Sequence, residues 1–280
     1  MKTTIPDELK KDLPQTPWGK LLTATPVIMT VIATLLAGLA SSEMTRAQYD
    51  RALGAQLQSK AGDQWSYFQA KKLRSAMQHN SLELLQAVTD VHPLENPALE
   101  KIPTVAAPAL DPSLQAALDA VEQQQPETKI AAALKPVSDR ALAAALEAAR
   151  NQARDFDAAL APANQALAEL EKSLPAGDKS AARDLTAAQM RYAALRYDAE
   201  ARLNQSVANL LELQVRKANL SAERHHRRSG KFFFGMLAAQ AAVIVSTLAM
   251  AARQRNLLWT LAAAAGIAAI VFAVYVYLRV

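Results

Sequence analysis

Residues 224–256 read RHHRRSGKFFFGMLAAQAAVIVSTLAMAARQRN. The basic run closes at Lys231, an uncharged stretch runs from Phe232 to Ala252, and charge returns at Arg253. A bilayer core of about 30 Å is crossed by roughly 20 helical residues, and only a helix or a closed barrel satisfies its backbone there. The stretch therefore predicts a transmembrane helix. Two further runs have the same character, Leu21 to Ala40 and Leu257 to Leu278, and neither contains a charged side chain. Trp18, Lys20, Lys231, Trp259, Tyr275 and Tyr277 stand near the ends of these runs, where interfacial aromatics and cations collect. Only Arg253, Gln254, Arg255 and Asn256 separate the last two runs, so they form a tight antiparallel hairpin and the chain crosses three times.

Composition agrees with an all-α fold. The chain of 280 residues is 51% hydrophobic but only 5% aromatic, with eight glycines. Its apolar mass is small and aliphatic, which leaves little for a turn-rich sandwich or a Gly-rich nucleotide fold. With no cysteine, disulfides, thiolate metal sites and Cys nucleophiles are excluded. The first run has the small residues Gly38 and Ala40 that a signal peptidase reads, but its leader is long and carries Asp7, Glu8 and Asp12. An uncleaved anchor is the favoured reading.

The parts outside the membrane follow from where proline is absent. Residues 41–90 have none, nor do residues 179–231, and at 1.5 Å per residue these legs reach about 75 and 80 Å. Their matched lengths predict a long antiparallel, coiled-coil-like hairpin continuous with the spans. In the return leg Leu185, Ala188, Tyr192, Leu195, Ala199, Leu203, Val207 and Leu210 recur at steps of three and four, the stripe one helix offers another. The outgoing leg is less regular. Between the legs, residues 91–178 begin with Pro93, Pro97, Pro103, Pro108 and Pro112, an extended linker. Short Ala-rich helices follow at about Pro112 to Gln124, Ser138 to Leu160 and Pro162 to Ser173, with Ser138 as an N-cap and Pro162 in a first turn. They are expected to pack on one another or on neighbouring subunits at the far end. The order is thus a polar tail (1–20), first span (21–40), outgoing helix (41–90), linker and distal helices (91–178), return helix (179–231) and a transmembrane hairpin (232–278).

A net charge of +5 and a pI near 9.4 raise the question of nucleic acid. Residues 41–231 hold 24 Lys/Arg against 23 Asp/Glu, and four of those bases, Arg224, Arg227, Arg228 and Lys231, lie in one run beside the membrane. No basic face remains to follow a phosphate backbone. The run is read as a contact for anionic lipid headgroups. His225 and His226 beside it suggest a metal or pH site only weakly, with no acidic or Cys neighbour in sequence. Lys2, Lys10, Lys11, Lys20, Arg253 and Arg255 mark one side of the membrane. Short loops obey charge bias best, which places the N-terminus in the cytoplasm and residues 41–231 in the periplasm.

Lys60-Ala61-Gly62-Asp63-Gln64-Trp65-Ser66-Tyr67-Phe68-Gln69-Ala70-Lys71 follows the first span and a polar helix. The stretch resembles the K-A-N-D-Q-W-x-Y-Y-Q-A-K signature of an uncharacterised bacterial membrane-protein family, domain of unknown function 4337. Gly62 stands where that family usually has Asn, and Phe68 where it often has Tyr. The C-terminal layout is also alike: an aromatic entry at Phe232 to Phe234, a basic loop leading to Trp259, and a last span around Gly266. The resemblance implies a three-span bacterial inner-membrane protein and no particular activity. By their spacing Trp65, Phe68, Gln69 and Lys72 share one helical face, with Tyr67 and Lys71 on the next. Packing of Trp65 and Phe68 on the return leg, with Gln69 fixing its register, is favoured over a docking patch.

No phosphate loop, G-x-S-x-G, H-E-x-x-H or dinucleotide fingerprint occurs. His79 and His92 stand apart from any ligand set. Gln240 is the one strongly polar side chain near the middle of a span, read as helix packing ahead of a permeation path. Ala33, Ala37, Ala262 and Gly266 offer small faces for close helix contact. The expectation is a structural or scaffold protein that binds the bilayer and self-associates as a homo-oligomer, without catalysis, cofactor or metal. The alternatives are an accessory subunit for a membrane-protein partner in transport or secretion, and an oligomeric pore.

Overall fold

Asp178 begins the longest helix. Its carboxylate accepts the amides of Ser180 and Ala181 at 3.0 and 3.1 Å, satisfying donors that a helix start leaves open. Gly177 before it has φ +93°, a left-handed conformation that glycine adopts without a Cβ penalty. From there α6 runs from Lys179 to Ala251. Its counterpart α1 runs from Pro17 to Val88 and stops ahead of His92-Pro93, because a residue preceding proline disfavours helical backbone. The computed structural model describes residues 17–94, 96, 99, 102, 110–175, 177–251 and 255–279. Residues 1–16, Arg253 and Gln254, and most of the proline linker lie outside them, as do the side chains of Trp18, Lys20, Trp259 and Tyr277.

Among the described residues the only regular structure is helical, with no strands. Between the long helices come α2 (Pro112–Glu122), α3 (Glu127–Leu134), α4 (Asp139–Ala159) and α5 (Ala161–Ser173), and α7 (Arg255–Arg279) closes the chain. Ser138 caps α4, its hydroxyl accepting from Ala141 N at 3.0 Å, and Pro162 sits in the first turn of α5. The two-turn α3, bracketed by Pro126 and Pro136, is an addition to the sequence reading. Neither long helix breaks where the sequence reading divides span from leg: the predicted divisions at residues 40 and 231 fall inside α1 and α6.

Two helices, α1 and α6, are long and apolar enough to cross a membrane. Their most apolar windows have mean hydropathies of 1.8 and 1.9 and are only 28% and 33% buried. A core helix of a soluble protein hides most of such a window. In α7 the apolar stretch is Thr260–Val276.

The chain divides into two units, Met1–Arg51 with Asn219–Val280, and Ala52–Ala218. In the first, Leu36, Ala40, Phe232 and Val276 form one buried cluster, and Ala33, Ala239 and Ala269 another. Small side chains make this closeness possible: Ala239, Ala242, Ala249, Ala262 and Ala269 are fully buried. A Cβ on Gly266 would lie 2.8 Å from Met29 Sδ. In the second unit Leu99, Phe156, Leu160, Ala163 and Tyr192 form one buried cluster, with Leu167, Leu170 and Leu203 packed against it.

The short helices do not gather at a far end. They lie along α6: Tyr192 donates to Asn164 at 3.1 Å, Asn209 to Glu122 at 2.9 Å, and Arg216 to Glu127 at 2.8 Å. Lys217 reaches Val137 O and, at 2.7 Å, Asp139. Ala-rich helices bury little area each, so they need a larger apolar surface, and Leu210, Leu211, Leu213 and Val215 of α6 are all buried.

Candidate functional site

The signature segment lies on α1 within the second unit. Trp65 and Phe68, three residues apart on one face, meet edge to face with ring centroids 5.5 Å apart and planes at 86°. Both are half-buried, as is Gln64, whereas Tyr67 is exposed. Trp65 forms part of a polar cleft of about 640 Å³ with Glu122, Gln124, Gln205, Asn209 and Arg216. Gln69 is exposed, and the register of α1 on α6 is fixed by other residues. Lys71 is hydrogen-bonded to Glu200, Lys72 pairs with Asp198 at 2.5 Å, and the buried Ser75 hydroxyl donates to Ala194 O at 2.9 Å. A lysine reaches farther than a glutamine and carries charge, so it finds a carboxylate on the facing helix where the shorter amide stays in solvent.

Glu200 is the electrostatic centre of this face. Burial alone raises its carboxyl, but the hydrogen bonds from Lys71 and Arg196 outweigh burial and hold it below the usual glutamate range. Asp198 is lowered by Lys72 first and by Arg202 as well, against some burial. The Tyr197 ring faces three cations, Lys71, Arg196 and Arg74, at 5.2, 5.6 and 5.9 Å from its centroid. From Tyr67 in the signature onward, α1 leaves large apolar side chains uncovered: Tyr67, Leu73, Met77, Leu84 and Val88 are 57 to 77% exposed.

The basic run lies in the first unit and is partly spent on protein partners. Arg227 pairs with Glu223 one turn away, Arg228 lies 3.6 Å from Glu43, and Lys231 stands 5.8 Å over the Tyr275 ring. Arg224 and His226 are exposed. His225 Nδ1 is 2.5 Å from the buried Glu43 carboxylate, and Nε2 is 4.0 Å from Asp50. The acidic neighbours that the local sequence lacks come from α1, and nothing in the spacing of either segment signals the pairing. No group of three or more His, Asp or Glu that would hold a metal occurs among the described residues. His79 is exposed. His92 is largely exposed beside Asp90 and Asp184, and its backbone amide donates to Asp184 at 2.9 Å.

Gln240 faces outward. It is exposed on α6, and no hydrogen bond to it is formed among the described residues. Ala33, Ala262 and Gly266 do lie at helix contacts, while Ala37 is half-buried.

Residues 18–168 match the family described as Domain of unknown function (DUF4337). The chain belongs to this family. The match takes in the first apolar run, the Trp65 segment and the chain through α4 into α5, whereas α6 and α7 lie beyond it. No curated protein and no solved structure matches this DUF4337 member.

Proposed function

We propose that this DUF4337 protein is a structural protein of the bacterial inner membrane that crosses three times, self-associates and holds a helical stalk off the bilayer, without catalysis. The observation that carries the reading is the continuity of α1 and α6: each passes from an uncovered apolar window into a leg dense with ion pairs, with no break in helical backbone. An antiparallel arrangement is supported in each unit by partner numbers that fall as residue numbers rise. Ala40 meets Ser229 and Glu43 meets His225 in one; Lys71 meets Glu200 and Ser75 meets Ala194 in the other. The apolar Thr260–Val276 stretch within the 25 residues of α7 supports a third crossing. Charge bias supports a cytoplasmic N-terminus and periplasmic residues 41–231. Arg224 and its neighbours then meet lipid headgroups at the outer surface.

The test is the particle mass after extraction from native membranes in a mild detergent. A mass corresponding to several 30.2 kDa chains supports self-association, and a single chain overturns it. A second reading, an accessory subunit, is favoured by the uncovered apolar side chains from Tyr67 to Val88. It gains support if a second protein is retained in fixed proportion and lost in Tyr67→Ser or Met77→Ser. Sidedness is tested by labelling a cysteine placed at the exposed Lys135 with an impermeant maleimide on intact spheroplasts.

A further inference from the structure

The polar side chains of the spans dispose of their hydrogen bonds in two ways. Thr30 and Thr34 donate to the carbonyls of Pro26 and Thr30 at 2.7 and 2.9 Å. Ser246 donates to Val243 O at 2.9 Å, and Thr247 to Val243 O and Ile244 O at 3.0 and 2.8 Å. Each hydroxyl is short enough to bend back to its own helix. Gln240 holds its carboxamide farther out, with two donors and an acceptor, and no hydrogen bond takes it up among the described residues.

The face around it is regular. Phe233, Leu237, Gln240, Ile244 and Thr247 are all exposed, and their steps of four and three are the period of a left-handed helix pair. The opposite face, Phe232, Gly235, Ala239, Ala242, Ser246 and Ala249, is buried within the unit. The other exposed span surfaces are mainly aliphatic, with Val27, Val31 and Leu35 on α1 and Leu261, Ile267, Val271 and Val274 on α7, and the exposed Thr30 and Thr34 on α1 already donate to their own helix. A carboxamide directed at hydrocarbon lacks the partners that water would give it.

We propose that this face of α6 binds the same face of a second copy, with the two Gln240 carboxamides hydrogen-bonded to each other across a twofold axis. The inference rests on the membrane-spanning, self-associating reading and names its interface. Two copies inserted in the same sense bring residue 240 to the same depth. A carboxamide both donates and accepts, so identical side chains complete one another in an isologous contact. A different helix would need its own polar group at that depth.

Because the chain lacks cysteine, single cysteines report contacts cleanly. Leu237→Cys and Ile244→Cys are expected to form disulfide-linked dimers on oxidation in native membranes, while Val31→Cys and Val271→Cys stay monomeric. Adding Gln240→Leu is expected to lower the dimerisation constant roughly 3- to 20-fold, the range for one hydrogen bond between helices in a membrane, with Gln240→Asn retaining more of it. Cross-linking at 31 or 271 in place of 237 and 244 overturns the face but leaves self-association standing. Undiminished cross-linking in the Gln240→Leu background overturns the role of the amide. No cross-link at any position, together with a one-chain particle, removes the self-association reading itself.

Discussion

Met29 closes over Gly266: its Sδ would stand 2.8 Å and its Cε 3.1 Å from a Cβ at that position. Gly266→Ala is therefore expected to displace the flexible end of the Met29 side chain, an inexpensive shift, and to change stability by no more than about 1 kcal/mol. In a double-mutant cycle with Met29→Ala the two changes should be non-additive. Additive losses in detergent melts would show that the contact is not formed.

Glu200 and Asp198 both ionise more readily in the folded second unit than free glutamate and aspartate side chains do. A depressed carboxylate contributes stability that is present above its unfolded value and lost as pH falls through its folded value. Unfolding free energy should thus be flat from pH 7 to about 5 and fall steadily below about 4.5. In Glu200→Gln that acid limb should be shallower, with about 1.5–3 kcal/mol lost at neutral pH because two charge-assisted hydrogen bonds go. Urea titrations at several pH values distinguish the limbs.

Gln124 has φ +51°, a left-handed conformation at the end of α2, where Gln124 N bonds Val121 O and Gln125 N bonds Ala120 O, both at 3.0 Å. Glycine adopts this turn freely. Gln124→Gly is expected to raise stability by about 1 kcal/mol, since a side chain there costs about 1–2 kcal/mol. Thermal melts of the two proteins make the comparison.

Trp65 and Tyr67 should behave oppositely. Trp65→Ala removes a half-buried ring that packs edge to face on Phe68 and is expected to destabilise the second unit by about 2 kcal/mol or more. Tyr67→Ala, at a side chain 57% exposed, should change stability by no more than about 0.5 kcal/mol. A large loss from Tyr67→Ala would mean that the exposed face of α1 is covered in the assembled protein.

What was legible in the sequence was whatever local chemistry encodes. The start of α6 at Lys179, the Ser138 cap and Pro162 in a first turn all depend on residues within four positions of one another. Proline spacing marked the segmented middle, although α3, with two turns between Pro126 and Pro136, was too short to show a period. Long-range choices were hidden. Nothing near Gln69 says that Lys71, two residues on, takes the register bond, because that choice is made by Glu200 on another helix. The packing of α2 to α5 along α6 likewise depends on apolar area presented by residues 210–215, and the outward direction of Gln240 on which side of α6 carries the small residues.

His225 and Glu43 are 182 positions apart, and the unit that contains them is made from the two ends of the chain with Ala52–Ala218 between them. On the ribosome the first apolar run therefore emerges long before its partners do. Glu43 waits for His225 and Arg228 until the whole intervening unit has been made, so the second unit has time to mature while the first is half-built. The first unit can close only once residues 225 and 228 have been made, and a chain truncated before residue 225 would leave the Glu43 carboxylate without these partners.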